Sequence, residues 1–119
     1  MSASVFDFDL FKEIHQLTID LLKTADCLPK PEQHILTSQL RRAAISVPSN
    51  FAEGYRKSSV KDKLRMYNIA LCSLEECRYY LVLANDLYNL IQPEMMFKLD
   101  KTARRFYGYC RAIRENHKL

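Results

Sequence analysis

Glycine and proline are scarce in this chain, two and four in 119 residues. A turn-rich β-sandwich or barrel uses both far more often, so those architectures are excluded. Neither Gly54 nor Gly108 has a second glycine close by, and without one the backbone does not form the loops that cradle nucleotide phosphates. No run of about 18 apolar residues occurs, which excludes a membrane-spanning helix. Met1 to Phe11 carries Asp7 and Asp9 where a secretory leader needs positive charge and then an apolar stretch. These absences point to a cytoplasmic protein. The cysteines, Cys27, Cys72, Cys77 and Cys110, include no C-x-x-C pair. Each lies in a helix-like apolar pattern, so all four are expected to be small buried thiols. His15, His34 and His117 have no second histidine or cysteine at ligand spacing, and no Glu-x-x-His pair of a di-iron bundle is present. Neither a metal nor another cofactor is expected.

What the chain does have is apolar residues at helical spacing. A content of 48% hydrophobic and 27% charged residues fits one globular domain over residues 1–119, large enough to bury roughly two-thirds of its unfolded surface without disulfides. Leu10, Ile14, Leu17, Leu21 and Leu28 mark a first amphipathic helix, with Asp7 or Asp9 as its cap and Pro29-Lys30-Pro31 as its end. Pro31 suits the first turn of a second helix, whose stripe is Leu36, Leu40, Ala43, Val47 and Asn50. Pro48 inside that pattern predicts a kink or a division in two, and Gly54 predicts a left-handed helix end. Ser59 with Asp62 resembles a capping box. From there Tyr67, Ala70, Leu74, Cys77, Leu81, Ala84, Tyr88 and Ile91 keep a heptad seam. Pro93 starts the last helix, with Met96, Leu99, Ala103, Phe106, Cys110 and Ile113 as its seam. Short links between long helices predict an all-α, antiparallel up-down-up-down four-helix bundle. Ile69, Tyr80, Leu83, Leu87 and Leu90 form a second stripe on the third helix, and Leu64, Leu71 and Val82 a third. One core does not cover three faces, so part of this surface is expected to meet another copy of the chain.

The sequence offers no convincing catalytic group. Ser58-Ser59-Val60-Lys61 matches Ser-x-x-Lys, but its companion motifs are absent and helix capping explains the serine better. Cys72 has two glutamates nearby rather than the positive setting a reactive thiolate needs. The expectation is a protein that is not an enzyme. Eighteen Lys and Arg against fourteen Asp and Glu give a formal charge of +4, too mild to identify a nucleic-acid binder. Distribution says more. Arg104, Arg111 and Lys118 recur every seven residues with Arg114 close to their line, and Lys101 and Arg105 lie in the same stretch. Such a row either neutralises phosphates or is a solvated, internally paired face. Tyr55, Tyr107 and Tyr109 could stack on unpaired bases or seal a subunit contact. Arg41 and Arg42 lie opposite roughly residues 72 to 76 in an antiparallel pair, so an ion pair with Glu75 or Glu76 is expected, with binding as the other reading.

The run Leu36-Thr37-Ser38-Gln39-Leu40-Arg41-Arg42-Ala43-Ala44-Ile45-Ser46-Val47-Pro48-Ser49-Asn50-Phe51-Ala52-Glu53-Gly54-Tyr55 resembles the signature of a family of small bacterial four-helix bundle proteins. That family is named for reading frames in intervening sequences of 23S ribosomal RNA. Asn68 to Glu76 and Leu81 to Ala84 resemble it too. Phe11 stands where the family often has Trp, Cys72 where it has Gly, and Cys77 where it has Leu. The resemblance implies a ring-shaped homopentamer. It also implies kinship with accessory proteins that partner reverse transcriptases in diversity-generating retroelements and bind nucleic acid. Together these readings predict a homo-oligomeric bundle that binds RNA or DNA through phosphates. The rivals are a protein-interaction subunit, such as a reverse-transcriptase partner, and a purely structural oligomer.

Overall fold

Four helices follow one another through short links in the computed structural model, which describes residues 4–117: α1 (Asp9–Asp26), α2 (Leu36–Arg56), α3 (Val60–Tyr88) and α4 (Pro93–His117). No strand occurs among the described residues. α1 packs against α2 and α4, and α3 against the same two, with the α2–α3 contact the most extensive. This is the up-down-up-down bundle that the spacing predicts. A helix of 29 residues is roughly 44 Å long, so α3 alone accounts for the 46 Å long axis of the molecule.

The middle of each seam lies inside as expected, while Asn50, Tyr88, Met96 and Ile113 are half-buried and Ile91 falls beyond α3, which ends at Tyr88. Ile14, Leu21, Leu40, Val47, Leu74, Leu81, Leu99 and Phe106 are fully enclosed, and one core cluster draws on all four helices. Burying such side chains is the main force that holds helices of this length together. At the end where α2 meets α3 the core turns aromatic. Phe51 lies 4.8 Å from Tyr67 and 5.2 Å from Phe106, ring centre to ring centre, with Phe8 and Phe11 closing over it from α1. A smaller cluster of Leu28, Leu36 and Ala84 closes the other end.

Several local expectations are corrected. Neither Asp7 nor Asp9 caps α1. Ser4 instead caps a short 3-10 turn, Val5–Asp7, by accepting from the Phe6 N–H, and α1 starts directly after it. Pro31 lies in a second 3-10 turn, Lys30–Glu32, and α2 begins only at Leu36. Gly54 does not end α2. It is a buried helical residue beside Tyr67, and the helix runs on to Arg56. Pro48 does not divide α2 either, and the carbonyl it leaves without a helical donor has a hydroxyl of α1 near it. Its missing N–H leaves the Ala44 carbonyl without its partner, and the Thr18 hydroxyl on α1 lies 3.5 Å from that oxygen while donating to Ile14 O at 2.9 Å. Ser59 caps α3 as expected, accepting from the Asp62 N–H at 3.3 Å. Cys77 and Cys110 are buried, and burial pushes their thiols up to about 12 and about 11. Cys27 and Cys72 are exposed, contrary to expectation: Cys27 lies in the turn that follows α1, and Cys72 falls on the outer side of α3.

Candidate nucleic-acid interface

The basic residues of α4 divide into two groups by their angle around the helix. Lys98 and Arg105 lie on the side that faces α1, and there they are neutralised. Lys98 Nζ is 3.1 Å from Asp20 Oδ2, and Arg105 Nη1 is 2.8 Å from Glu13 Oε1. Thr102 adds a hydrogen bond to the other Glu13 oxygen at 2.9 Å. Burial alone would raise the Glu13 carboxyl, but the bonds from Arg105 and Thr102 and the charge of Arg105 outweigh it. They hold the group below its ordinary value. Arg105, expected among the binding residues, is therefore a tie between α1 and α4.

Lys101, Arg104, Arg111 and Arg114 are the second group, with Lys101 at its edge, where it also borders the α1–α4 groove beside Glu13 and Asp20. At 100° per residue they span an arc of about 140° on the outer side of α4. All four are exposed, and none is in an ion pair among the described residues. Two acids share the arc. Asp100 is taken up by Arg78 of α3, which also pairs with Glu75, while Glu115 is exposed. Lys118, the last member of the expected row, lies outside the described residues.

The bundle adds what the row alone lacks. An antiparallel arrangement brings the C-terminal part of α4 to the end where α2 turns into α3, so Arg111 and Arg114 share that end with Arg56, Lys57, Lys61 and Arg65. Among the described residues only Arg65 of these has an acidic partner within 4 Å, Asp62 at 4.0 Å. Lys63 is not part of this surface. Its Nζ donates to Gly54 O at 3.0 Å and Tyr55 O at 2.9 Å, closing the end of α2, and burial lowers its pKa. Asp7 and Asp9 at the start of α1, with Glu53, Asp62 and Glu115, lie at the same end, so basic residues outnumber acids there without excluding them. The sequence shows the two basic stretches, but nothing in it says that they meet.

The aromatic part of the expectation narrows. Tyr109 and Tyr55 are half-buried against Phe8 and Phe51, and the Tyr109 and Tyr67 hydroxyls lie 3.4 Å apart. Neither ring presents a face to a base. Tyr107 alone remains exposed. It borders a groove of about 410 Å³ with Cys72, Glu75 and Tyr79.

Arg41 and Arg42 do not pair with Glu75 or Glu76. Arg41 Nη1 is 2.8 Å from Asp26 Oδ1, and Arg42 donates to Gln39 Oε1 at 2.9 Å. Glu76 accepts from the Tyr80 hydroxyl at 3.5 Å. Ala43 and Ala44 take the buried side of α2 beside the arginines, and Ser46 Oγ and Ser73 Oγ join α2 to α3 at 2.8 Å. Both arginines are thereby turned to the flanks. With side chains 42% and 66% exposed, the Arg41–Asp26 pair is a surface tie between α1 and α2 worth at most about 1 kcal/mol, in place of the partly buried pair with Glu75 or Glu76 that the sequence predicts.

The fold and this surface define an antiparallel four-helix bundle protein with a basic end and an outward basic helix. Within that class the chain belongs to the family of 23S rRNA-intervening sequence proteins, whose pattern it matches over residues 7–108. No curated protein matches the chain. No helix among the described residues is long and apolar enough to cross a membrane.

Proposed function

We propose that this protein is a non-catalytic, homo-oligomeric bundle of the cytoplasm that binds RNA, or RNA with DNA, through phosphate contacts. The observation that carries the reading is the unpaired set Lys101, Arg104, Arg111 and Arg114, continuous with the basic end formed by Arg56, Lys57 and Lys61. Structural charges on a bundle find partners, as Lys98 and Arg105 do. A set left without them at one end is suited to an external polyanion. A family named for an insertion in ribosomal RNA fits an RNA-related role. Helix-borne Arg and Lys reach phosphates more readily than base edges, so base identity should matter little. Repetition around an oligomer would let several weak contacts act together.

Binding of a structured RNA, measured by fluorescence anisotropy, should weaken at least about tenfold between roughly 50 and 200 mM salt, as several released counterions require. The double reversal Arg104→Glu, Arg111→Glu should abolish binding and leave the oligomer intact. Absence of RNA and DNA binding at low salt, or unchanged binding by the double reversal, would sink this reading.

One observation favours a second reading. Of the two extra stripes expected on α3, Leu64 and Leu71 are buried and Tyr80 and Leu83 pack against the core, but Ile69, Val82, Leu87 and, just past the helix, Leu90 are exposed, with Tyr79 beside them. A protein partner would cover them, and kinship with retroelement accessory proteins would make a reverse transcriptase the partner. Binding that survives high salt and is lost in Val82→Lys would place the protein contact first.

A further inference from the structure

At the opposite end of the bundle, a cavity of about 460 Å³ opens between the C-terminus of α1 and the start of α2. The α4 row and the aromatic cluster do not reach it. α2 starts without a side-chain cap, since Ile35 precedes it where a polar residue normally sits. Its first helical bond runs from the Gln39 N–H to Ile35 O at 2.9 Å. The N–H groups of Leu36, Thr37 and Ser38 therefore have no acceptor among the described residues. A helix of 21 residues adds roughly half a positive charge at that point.

A second observation is independent of the helix terminus. Thr18, Thr37, Ser73 and Thr102 are the four buried polar side chains. Three of them are satisfied, by Ile14 O, by Ser46 Oγ and by Glu13 Oε2. Thr37 is 9% exposed, lines the cavity, and has no hydrogen-bond partner among the described residues. Among the described residues no fully enclosed side-chain polar atom is left unsatisfied, so the Thr37 hydroxyl keeps some access to solvent, and the cavity is the space its side chain borders. A buried hydroxyl in that position takes its partner from outside the chain.

The lining supplies the charge. Lys30, His34 and Arg41 border the cavity, and Asp26, held by Arg41, is its single carboxylate. Glu32 is turned away to accept from the Tyr88 hydroxyl. A water molecule satisfies one or two donors. The Thr37 and Ser38 amides, a hydroxyl and the Lys30 ammonium, with Arg41 shared with Asp26, call for a ligand with several acceptor oxygens and negative charge. We infer that this cavity is a phosphate-binding site, distinct from the α4 surface. The phosphate arrives either as a free or mononucleotide phosphate or as the phosphorylated end of a nucleic acid.

An amide-resolved NMR titration of the whole protein at constant ionic strength tests it, with inorganic phosphate replacing chloride. A 5′-phosphorylated oligonucleotide and its unphosphorylated twin are titrated next. Saturable shifts of the Leu36, Thr37 and Ser38 amides with inorganic phosphate support a free phosphate. A response to the phosphorylated oligonucleotide that its twin lacks supports a nucleic-acid end. Thr37→Val should weaken binding about fivefold or more, the scale of one lost hydrogen bond, while Thr37→Ser restores it. Arg41→Gln weakens it without touching the core, so the test survives if Thr37→Val folds poorly. The Arg104→Glu, Arg111→Glu double reversal should leave these shifts unchanged, which separates this site from the α4 surface. No saturable shift with either phosphorylated probe overturns the inference, as does full affinity in both Thr37→Val and Arg41→Gln.

Discussion

The two glycines of this chain are in opposite physical situations although both are helical. A Cβ at Gly54 would lie 2.9 Å from two ring carbons of Tyr67 and 3.0 Å from Met66 Cβ. Tyr67 is fully buried and stacked on Phe51, so it has nowhere to go. Gly54→Ala is expected to destabilise by about 1–3 kcal/mol despite its better helix propensity. Gly108 has nothing within 4 Å of the same position, and Gly108→Ala should stabilise by about 0.5–1 kcal/mol. Chemical denaturation of the two variants checks both signs. Glu13 is the residue where charge matters to stability. Glu13→Gln should cost about 1 kcal/mol at neutral pH, a value kept low because its partner Arg105 is half exposed. The folded carboxyl titrates below its ordinary 4.5, so its contribution is complete above that pH. It is lost as pH falls through the lower folded value. The stability gap between parent and variant should therefore close in acid, and a gap that stays constant down to pH 2 would contradict the assignment.

Pro48 shows at the level of whole elements how one helix depends on another. A proline within a helix removes a hydrogen bond, yet α2 continues through it while the Thr18 hydroxyl of α1 approaches the orphaned Ala44 carbonyl. Thr18→Val should cost about 1–2 kcal/mol, the usual penalty for a buried acceptor losing its donor. In a Pro48→Ala background the backbone N–H at position 48 serves Ala44, and the cost of Thr18→Val should fall to about half. A double-mutant cycle by thermal or urea unfolding measures that coupling. Additive effects would show that Thr18 acts by packing alone. The heptad seam of α3 was legible because a period of three and four residues maps directly onto one face of a helix. The start of α2 was not, since Pro31 satisfies the rule for a helix start equally well, and only the 3-10 turn decides between them.

For the whole molecule, the open questions are assembly and binding. The exposed apolar residues of α3, among them Ile69, Val82 and Leu87, predict a self-associated protein, and the family resemblance puts the number at five. Light scattering at micromolar concentration should give five times the 14.0 kDa chain mass, and a single species at the chain mass would refute it. The sequence by itself determined the class: the proline breaks at Pro29-Lys30-Pro31 and Pro93, the helical period of its apolar residues and the shortness of its links specify four antiparallel helices. These are local properties that a chain carries before it folds. Only the tertiary structure decided which charges are free. Lys98 and Arg105 look like Arg104 and Arg111 in a linear sequence, but a turn of the helix places the first two against carboxylates of α1 and the others in solvent. The same holds for Arg41, which the sequence aimed at α3 and the packing of Ala43 and Ala44 turned toward Asp26. The direction of a side chain around a helix, and what the neighbouring helix offers it, arise from packing between elements distant in sequence, and no local pattern encodes them.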